Sequence, residues 1–200
     1  MKKSYLVALV IVGILVLVAI GIISWGTKTY NGMVAMQESV TSQWGNVETA
    51  YQRRSDLIPN FVNTVKGAAN FEQTTLTQVI EARAKATSVT IDPTKMTAEN
   101  MQQFQQAQGQ LSSALSRLMV VVEQYPELKA TQNFRDLQVE LEGTENRISV
   151  ERRKFNEVAQ VYNTNIRRFP QNIIAGMYGF QAKPYFQAAE GAANAPEVKF

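Results

Sequence analysis

The sequence predicts an all-α protein: an N-terminal transmembrane helix that continues into an elongated antiparallel four-helix bundle. Three observations lead there. Residues 5–24 form an uncharged apolar run. Apolar residues then recur at three-four and seven-residue spacing to residue 169, as helices with one buried face require. No stretch alternates apolar and polar residues as a half-buried strand does.

The first element is YLVALVIVGILVLVAIGIIS, residues 5–24, preceded by Lys2 and Lys3. At about 1.5 Å per residue its 20 residues span roughly 30 Å, the thickness of a bilayer core. Trp25 and Tyr30 follow, where interfacial aromatics belong. A secretory signal peptide also begins with a basic start and an apolar run. Its apolar region is usually about 7–15 residues long and closes on small residues at a cleavage site. This run is longer and no A-x-A pattern closes it, which favours an uncleaved anchor. Lys2, Lys3 and the amino terminus face only Lys28 across the run, so the positive-inside rule puts residues 1–4 in the cytoplasm and residues 25–200 outside it.

Residues 25–168 are expected to form the bundle. Tyr30, Met33, Val40, Trp44, Val47 and Tyr51 continue the first helix. A break is expected near Arg53–Ser55, with Ser55 as N-cap and Pro59 in the first turn of a second helix running to about Ala86. That helix carries Leu57, Ile58, Phe61, Val62, Val65, Ala68, Ala69, Leu76, Val79 and Ile80. Thr87–Thr97 reads as a loop, with Asp92-Pro93 as turn chemistry. Thr97 caps a third helix, whose first turn holds Glu99 and Asn100. Phe104, Leu111, Leu118 and Tyr125 lie seven apart in it, and Pro126 stops it. Thr131 caps the fourth, where Phe134, Leu141, Ile148, Phe155, Tyr162 and Phe169 keep the same repeat up to Pro170. A sustained seven-residue repeat holds one seam against partner helices. Thr144, Glu151 and Asn165 interrupt the companion positions and predict wet patches. The four segments would be about 42, 48, 43 and 57 Å long. Alternating direction then puts Arg53, Arg54 and the Pro126 turn far from the membrane and Arg167 and Arg168 beside it.

Composition narrows the chemistry. The chain has no cysteine and no histidine. That removes disulfides, thiolate nucleophiles, Cys-ligated zinc, the usual neutral-pH general base and the commonest transition-metal ligand. No phosphate loop and no G-x-S-x-G elbow occurs. Helical bundles that house two metal ions need Glu-x-x-His pairs, which this chain cannot supply. The acidic group Glu140, Glu142, Glu145 and Glu151 lies among Arg147, Arg152, Arg153 and Lys154 and reads as a salt-bridged helix face rather than a carboxylate cation site. Neither a catalytic set, a cofactor nor a metal site is expected. The 20 basic residues, less Lys2 and Lys3, leave 18 against 17 acidic ones, so the basic isoelectric point carries no expectation of nucleic acid.

Three groups of residues are candidates for contact. Lys28, Arg167 and Arg168 would meet anionic headgroups of the lipid bilayer. Residues 169–200 form an aromatic-rich cap and tail. There Phe169, Tyr178, Phe180, Tyr185 and Phe186 fit either a segment closing the bundle end or an interfacial or self-association surface. The end, Ala195–Phe200, is Pro-led and extended, and Val198 and Phe200 could add as a strand to a partner that captures C-termini, or simply fray.

The segment YNGMVAMQESVTSQWGNVETAYQRRSDLIPNFVNTVKGAANFE, residues 30–72, resembles the signature region of the LemA family. Glu81-Ala82-Arg83, Tyr125-Pro126, Leu141-Glu142-Gly143-Thr144-Glu145-Asn146, Tyr162-Asn163, Phe169-Pro170, Gly179-Phe180 and the C-terminal end fit it in order. Ala69 and Asn70 depart from it, standing where an aromatic and a histidine are common. The resemblance implies a bacterial membrane protein with an N-terminal membrane helix and an elongated antiparallel bundle, held on either side of the membrane. It implies no reaction; a related protein tied to magnetosome membranes suggests membrane organisation. On their own chemistry, Arg53 or Arg54 would pair with Asp56 at the first corner, Gly143 would allow close helix approach and Asn146 a polar contact. The reading is a single-pass scaffold of a bacterial inner membrane that forms homo-oligomers, without catalysis. The rival is an adaptor that presents its C-terminus or its distal Arg turn to a protease, a signalling protein or another membrane protein.

Overall fold

The computed structural model describes residues 2–67 and 72–187, and these are all-helical with connecting turns and loops. The helices are α1 (Lys2–Lys66), α2 (Gln73–Ser88), α3 (Ala98–Val122), the single turn α4 (Pro126–Lys129), α5 (Gln132–Arg167) and α6 (Gln171–Tyr178), with a 3-10 turn at Pro93–Lys95. The chain divides into two compact units, one drawn from residues 1–39 with 160–182 and the other from residues 40–159 with 183–200.

The expected break at Arg53–Ser55 is absent. α1 continues to Lys66 with Pro59 inside it, and Ser55 is a buried mid-helix residue rather than an N-cap. Proline deprives the helix of the N–H that would bond the carbonyl four residues earlier, here that of Ser55. Arg83 of α2 supplies the donor instead, its Nε lying 2.8 Å from the Ser55 oxygen. The helix therefore carries its buried face without interruption through Val47, Tyr51, Ile58, Phe61, Val62 and Val65. The second helix begins only at Gln73, and Ala68 and Ala69, assigned to it from sequence, lie outside the described residues.

The later boundaries follow local chemistry. Thr97 caps α3 reciprocally: its hydroxyl accepts from the Asn100 amide and the Asn100 side chain accepts from the Thr97 amide at 2.9 Å. Glu99 sits in the first turn, and hydrogen bonds from its own backbone N–H and the Thr97 hydroxyl hold its carboxyl below the usual range. Asp92 accepts from the Thr94 hydroxyl and amide, which lowers its carboxyl in the same way. α3 stops at Val122, short of Pro126, which opens α4 at a position where its missing N–H costs nothing. The Thr131 hydroxyl accepts from the Phe134 amide as α5 begins.

Within the larger unit the register is legible from pairs of contacts. Gln43 meets Glu151, Arg53 meets Glu140 and Phe61 meets Phe134, so α1 and α5 run antiparallel there. Trp44 and Tyr51 pack on Phe104, and Arg54 bonds Gln108 and Ser112, so α3 runs with α1. α2 is tied to α1 by Arg83 and to α3 by Gln108, whose amide donates to the Ala86 carbonyl at 3.2 Å. One apolar cluster runs from Ile58, Phe61 and Val65 through Leu76 and Val79 to Leu111, Leu118, Leu128 and Phe134.

The seven-residue seams are buried at Phe104, Leu111, Leu118, Phe134, Ile148, Phe155 and Tyr162, while Tyr125 and Leu141 are half-buried. Phe169 leaves the seam and is 80% exposed, because α5 ends at Arg167 and the chain turns at Pro170. Two of the polar interruptions are bonded: the Gln43 amide donates to Glu151 at 2.7 Å, and Thr144 donates to the Leu141 carbonyl. Gly143 faces open space, with nothing near a Cβ placed on it, and Asn146 is exposed, so neither makes the helix contact expected of it.

Candidate functional site

Helical spacing places Arg54 inward. Residues 47, 51, 54, 58 and 61 share one helix face, and Arg54 is the one charge among them. The residue is 1% exposed. One guanidinium nitrogen donates to Glu145 at 2.7 Å and to Ser112 at 2.8 Å, and the other to Gln108 at 2.6 Å. The Tyr51 ring lies 5.2 Å from the guanidinium carbon. Burial raises the Tyr51 hydroxyl, against the opposing pull of Arg152 and Arg54. Three helices thus converge on one cation. A distal Arg turn does not exist: Arg53 and Arg54 lie within α1, Arg53 pairs with Glu140, and Asp56 accepts from Gln52 rather than from either arginine. The cleft beside Arg54 is lined by amides and hydroxyls, among them Gln102, Gln105, Gln106 and Ser113, with Glu145 as its carboxylate. Among the described residues no three carboxylates gather as a cation site.

Several acidic and basic residues of α5 reach across to other elements. Glu151 accepts from Gln43 and from Lys154 at 3.0 Å, and those bonds, Gln43 first, lower its carboxyl. Arg152 donates to the Gln187 carbonyl at 2.8 Å and stacks over the Phe186 ring.

Those contacts belong to a strap, residues 183–187, within the larger unit. The Asn156 amide makes a two-way pair with the Phe186 backbone, at 2.9 and 2.8 Å. Phe186 is buried against Trp44 and Phe155. The Lys183 ammonium donates to the Pro93 carbonyl at 2.8 Å; burial lowers its pKa, with Asp92 pulling the other way. Phe186 is therefore a core residue and not part of a self-association or interfacial surface, as its aromatic company suggested. Intramolecular stacking on Trp44 won over exposure. Tyr185, its neighbour, keeps 38% of its surface open.

In the smaller unit, α6 folds onto α1. Ile174 lies 3.9 Å from where a Cβ on Gly26 would stand. Gly179 closes α6 in the left-handed conformation, φ 74°, which lets the Phe180 amide bond the Ala175 carbonyl at 3.0 Å. The turn brings Tyr178 and Phe180 to Tyr30, with ring centroids 4.7 and 5.6 Å apart. Phe180 is half-buried there, and Tyr178 remains largely exposed. Lys28, Arg167 and Arg168 are all exposed in this same unit, as is Phe169. Val198 and Phe200 lie outside the described residues.

Comparison with known proteins adds identity to this geometry. The model of the LemA family matches residues 43–200. The chain belongs to the LemA family. The match takes in the Arg54 network, the strap and α6, and the LemA-family relatives extend over most of the chain. Magnetosome protein MamQ 2 of Paramagnetospirillum magneticum is 28% identical over 197 residues, covering 90% of this chain and 72% of its own length. Magnetosome protein MamQ of Magnetospirillum gryphiswaldense is 27% identical over 176 residues, covering 78% and 64%. Protein LemA of Metamycoplasma hominis is 25% identical over 160 residues, covering 80% and 69%. Among the described residues one N-terminal helix is apolar enough to cross a membrane, and this LemA-family chain is a membrane-associated helical protein.

Proposed function

We propose that the protein is a non-catalytic scaffold of a bacterial inner membrane, anchored by the apolar part of α1 and working through self-association. The observation that carries this reading is how the buried charges are used. Arg54 ties α1 to α3 and α5, and Lys183 ties the strap to the turn at Pro93 and Thr94. Both hold elements together. The names of two relatives, magnetosome proteins, fit a part in membrane organisation. The excess of Lys2 and Lys3 over Lys28 favours an extracytoplasmic bundle.

The test is the mass of the full chain in nanodiscs and in mild detergent across micromolar concentrations. Oligomers larger than a dimer are expected, and a monomer at every concentration overturns self-association. Crosslinking in cells should give mainly self-links; mainly foreign links would favour an adaptor. Labelling of a Glu38→Cys chain by a membrane-impermeant maleimide on intact cells reports the side, which is clean because the chain has no other cysteine.

A further inference from the structure

α6 leaves an apolar stripe uncovered. Its inner side packs on α1 through Ile174 and Tyr178, and Ala175 is buried. On the outside, Ile173 and Met177 lie four residues apart and are 53% and 72% exposed. Phe169, which precedes α6 across the turn at Pro170, is 80% exposed. Such a stripe needs a cover, and its height along α1 identifies one. The apolar run of α1 ends at Ser24. Gly26, the contact of Ile174, is about 3 Å farther along the axis, and Tyr30, the contact of Tyr178 and Phe180, about 9 Å. The headgroup region of one leaflet is roughly 5–8 Å deep. α6 thus rises alongside α1 through headgroup height, with its first turn nearest the boundary with the acyl chains.

Charge agrees with that position. Arg167 and Arg168 immediately precede Phe169, Lys28 lies within a turn of Gly26, and residues 160–182 contain no acidic residue. Cations beside an apolar stripe suit a surface of anionic lipid.

We infer that α6 is an interfacial helix standing alongside α1: Phe169 and Ile173 reach the headgroup–acyl boundary of the leaflet from which α1 emerges, Met177 lies in the headgroup layer beyond them, and Lys28, Arg167 and Arg168 bind its anionic headgroups. The inference rests on α1 spanning the membrane. Its consequence is a second, peripheral foothold that fixes the rotation of α1 about its own axis and sets which face of the protein meets a neighbour.

The absence of cysteine makes the test direct. Full-length chains with one substitution, Met177→Cys, Ile173→Cys, Glu38→Cys or Leu15→Cys, are labelled with a nitrobenzoxadiazole fluorophore. They are reconstituted in vesicles of phosphatidylethanolamine and phosphatidylglycerol containing nitroxide lipids. Glu38 lies on α1 about 21 Å beyond Ser24 and serves as the water-side reference. Shallow nitroxides are expected to quench the labels at 173 and 177 at least twofold more than the label at 38. Quenching of the 177 label by aqueous iodide and not by lipid overturns the inference. So does shielding from both, which would mean that a second protein copy covers the stripe. Arg167→Gln with Arg168→Gln should reduce lipid quenching at 177 about twofold and remove the difference between phosphatidylglycerol and phosphatidylcholine vesicles; no change there overturns the headgroup assignment. A label at 15 unquenched by deep nitroxides brings down the anchor and this inference together, whereas a quenched 15 with an unquenched 177 overturns only this one.

Discussion

Replacing Arg54 tests the core directly. Arg54→Met keeps an unbranched apolar stem, ends near the position of Nε, and removes the charge. Glu145, whose side chain is 52% exposed, turns to water and loses little. Ser112 is only half-buried and can rehydrate. Gln108 cannot: it is 8% exposed, and its carbonyl oxygen loses the guanidinium donor. A buried acceptor left bare costs about 1–3 kcal/mol, and the lost contact with Tyr51 about 0.5–1 kcal/mol. The relief of no longer desolvating a guanidinium offsets part of that. The expected loss is about 2–3 kcal/mol. Gln108→Leu should cost a similar amount, since it strips a buried Arg54 donor and frees the Ala86 carbonyl near the end of α2. The double variant removes both halves of the bond at once. It should be more stable than the sum of the single losses implies, by at least about 1 kcal/mol. The assay is urea unfolding of the full chain in mild detergent, followed by Trp44 fluorescence in a Trp25→Phe background, since the chain has two tryptophans. Losses that add within about 0.5 kcal/mol would refute the argument that Gln108 depends on Arg54.

Other outcomes follow from the same contacts. Arg83→Ala should cost about 1–3 kcal/mol by leaving the Ser55 carbonyl without a donor, and Pro59→Ala should recover part of it by restoring the helical N–H; urea unfolding of both variants and their combination reads this. Thr97→Ala breaks the reciprocal cap of α3 and should lower stability by about 1 kcal/mol, with faster amide hydrogen exchange confined to the first turn. Glu151 has its carboxyl lowered in the folded chain, so its stabilisation is complete above its ordinary unfolded pKa, about 4.3, and disappears as pH falls through the lower folded value. Glu151→Gln should therefore flatten the acid limb of a melting profile taken below about pH 4.5 and leave the shape of the profile between about pH 6 and 8 unchanged.

Several elements are legible in the amino-acid pattern. The cap at Thr97 lies within four residues of the amide it serves, and the seams at Phe104–Leu118 and Phe134–Tyr162 follow from helical period alone. The break expected at Arg53–Ser55 rests on equally local chemistry of serine and proline, and it fails because its remedy is not local. The donor that rescues Pro59 stands 28 residues from Ser55. The candidate contacts divide for the same reason: Lys28, Arg167, Arg168 and Phe169 share one exposed unit, whereas Phe186 disappears under Trp44. A charge at a core-facing step between Tyr51 and Ile58 is a visible signal for Arg54, masked by the general preference of paired arginines for the surface.

By itself the sequence determined the helical class, the apolar run of α1, the inward faces and the loss of Cys and His chemistry. These depend on side-chain type and on spacing along one helix. Only the tertiary structure decided that α1 runs through Pro59, that Arg54 is a core residue and that residues 171–187 divide into an α6 with an open outer side and a strap held by buried Lys183 and Phe186. Each of those depends on partners far apart in the chain, as Gln108 and Glu145 are 54 and 91 residues from Arg54. A buried polar group is stable only where its partner stands, and chain periodicity carries no record of that distance.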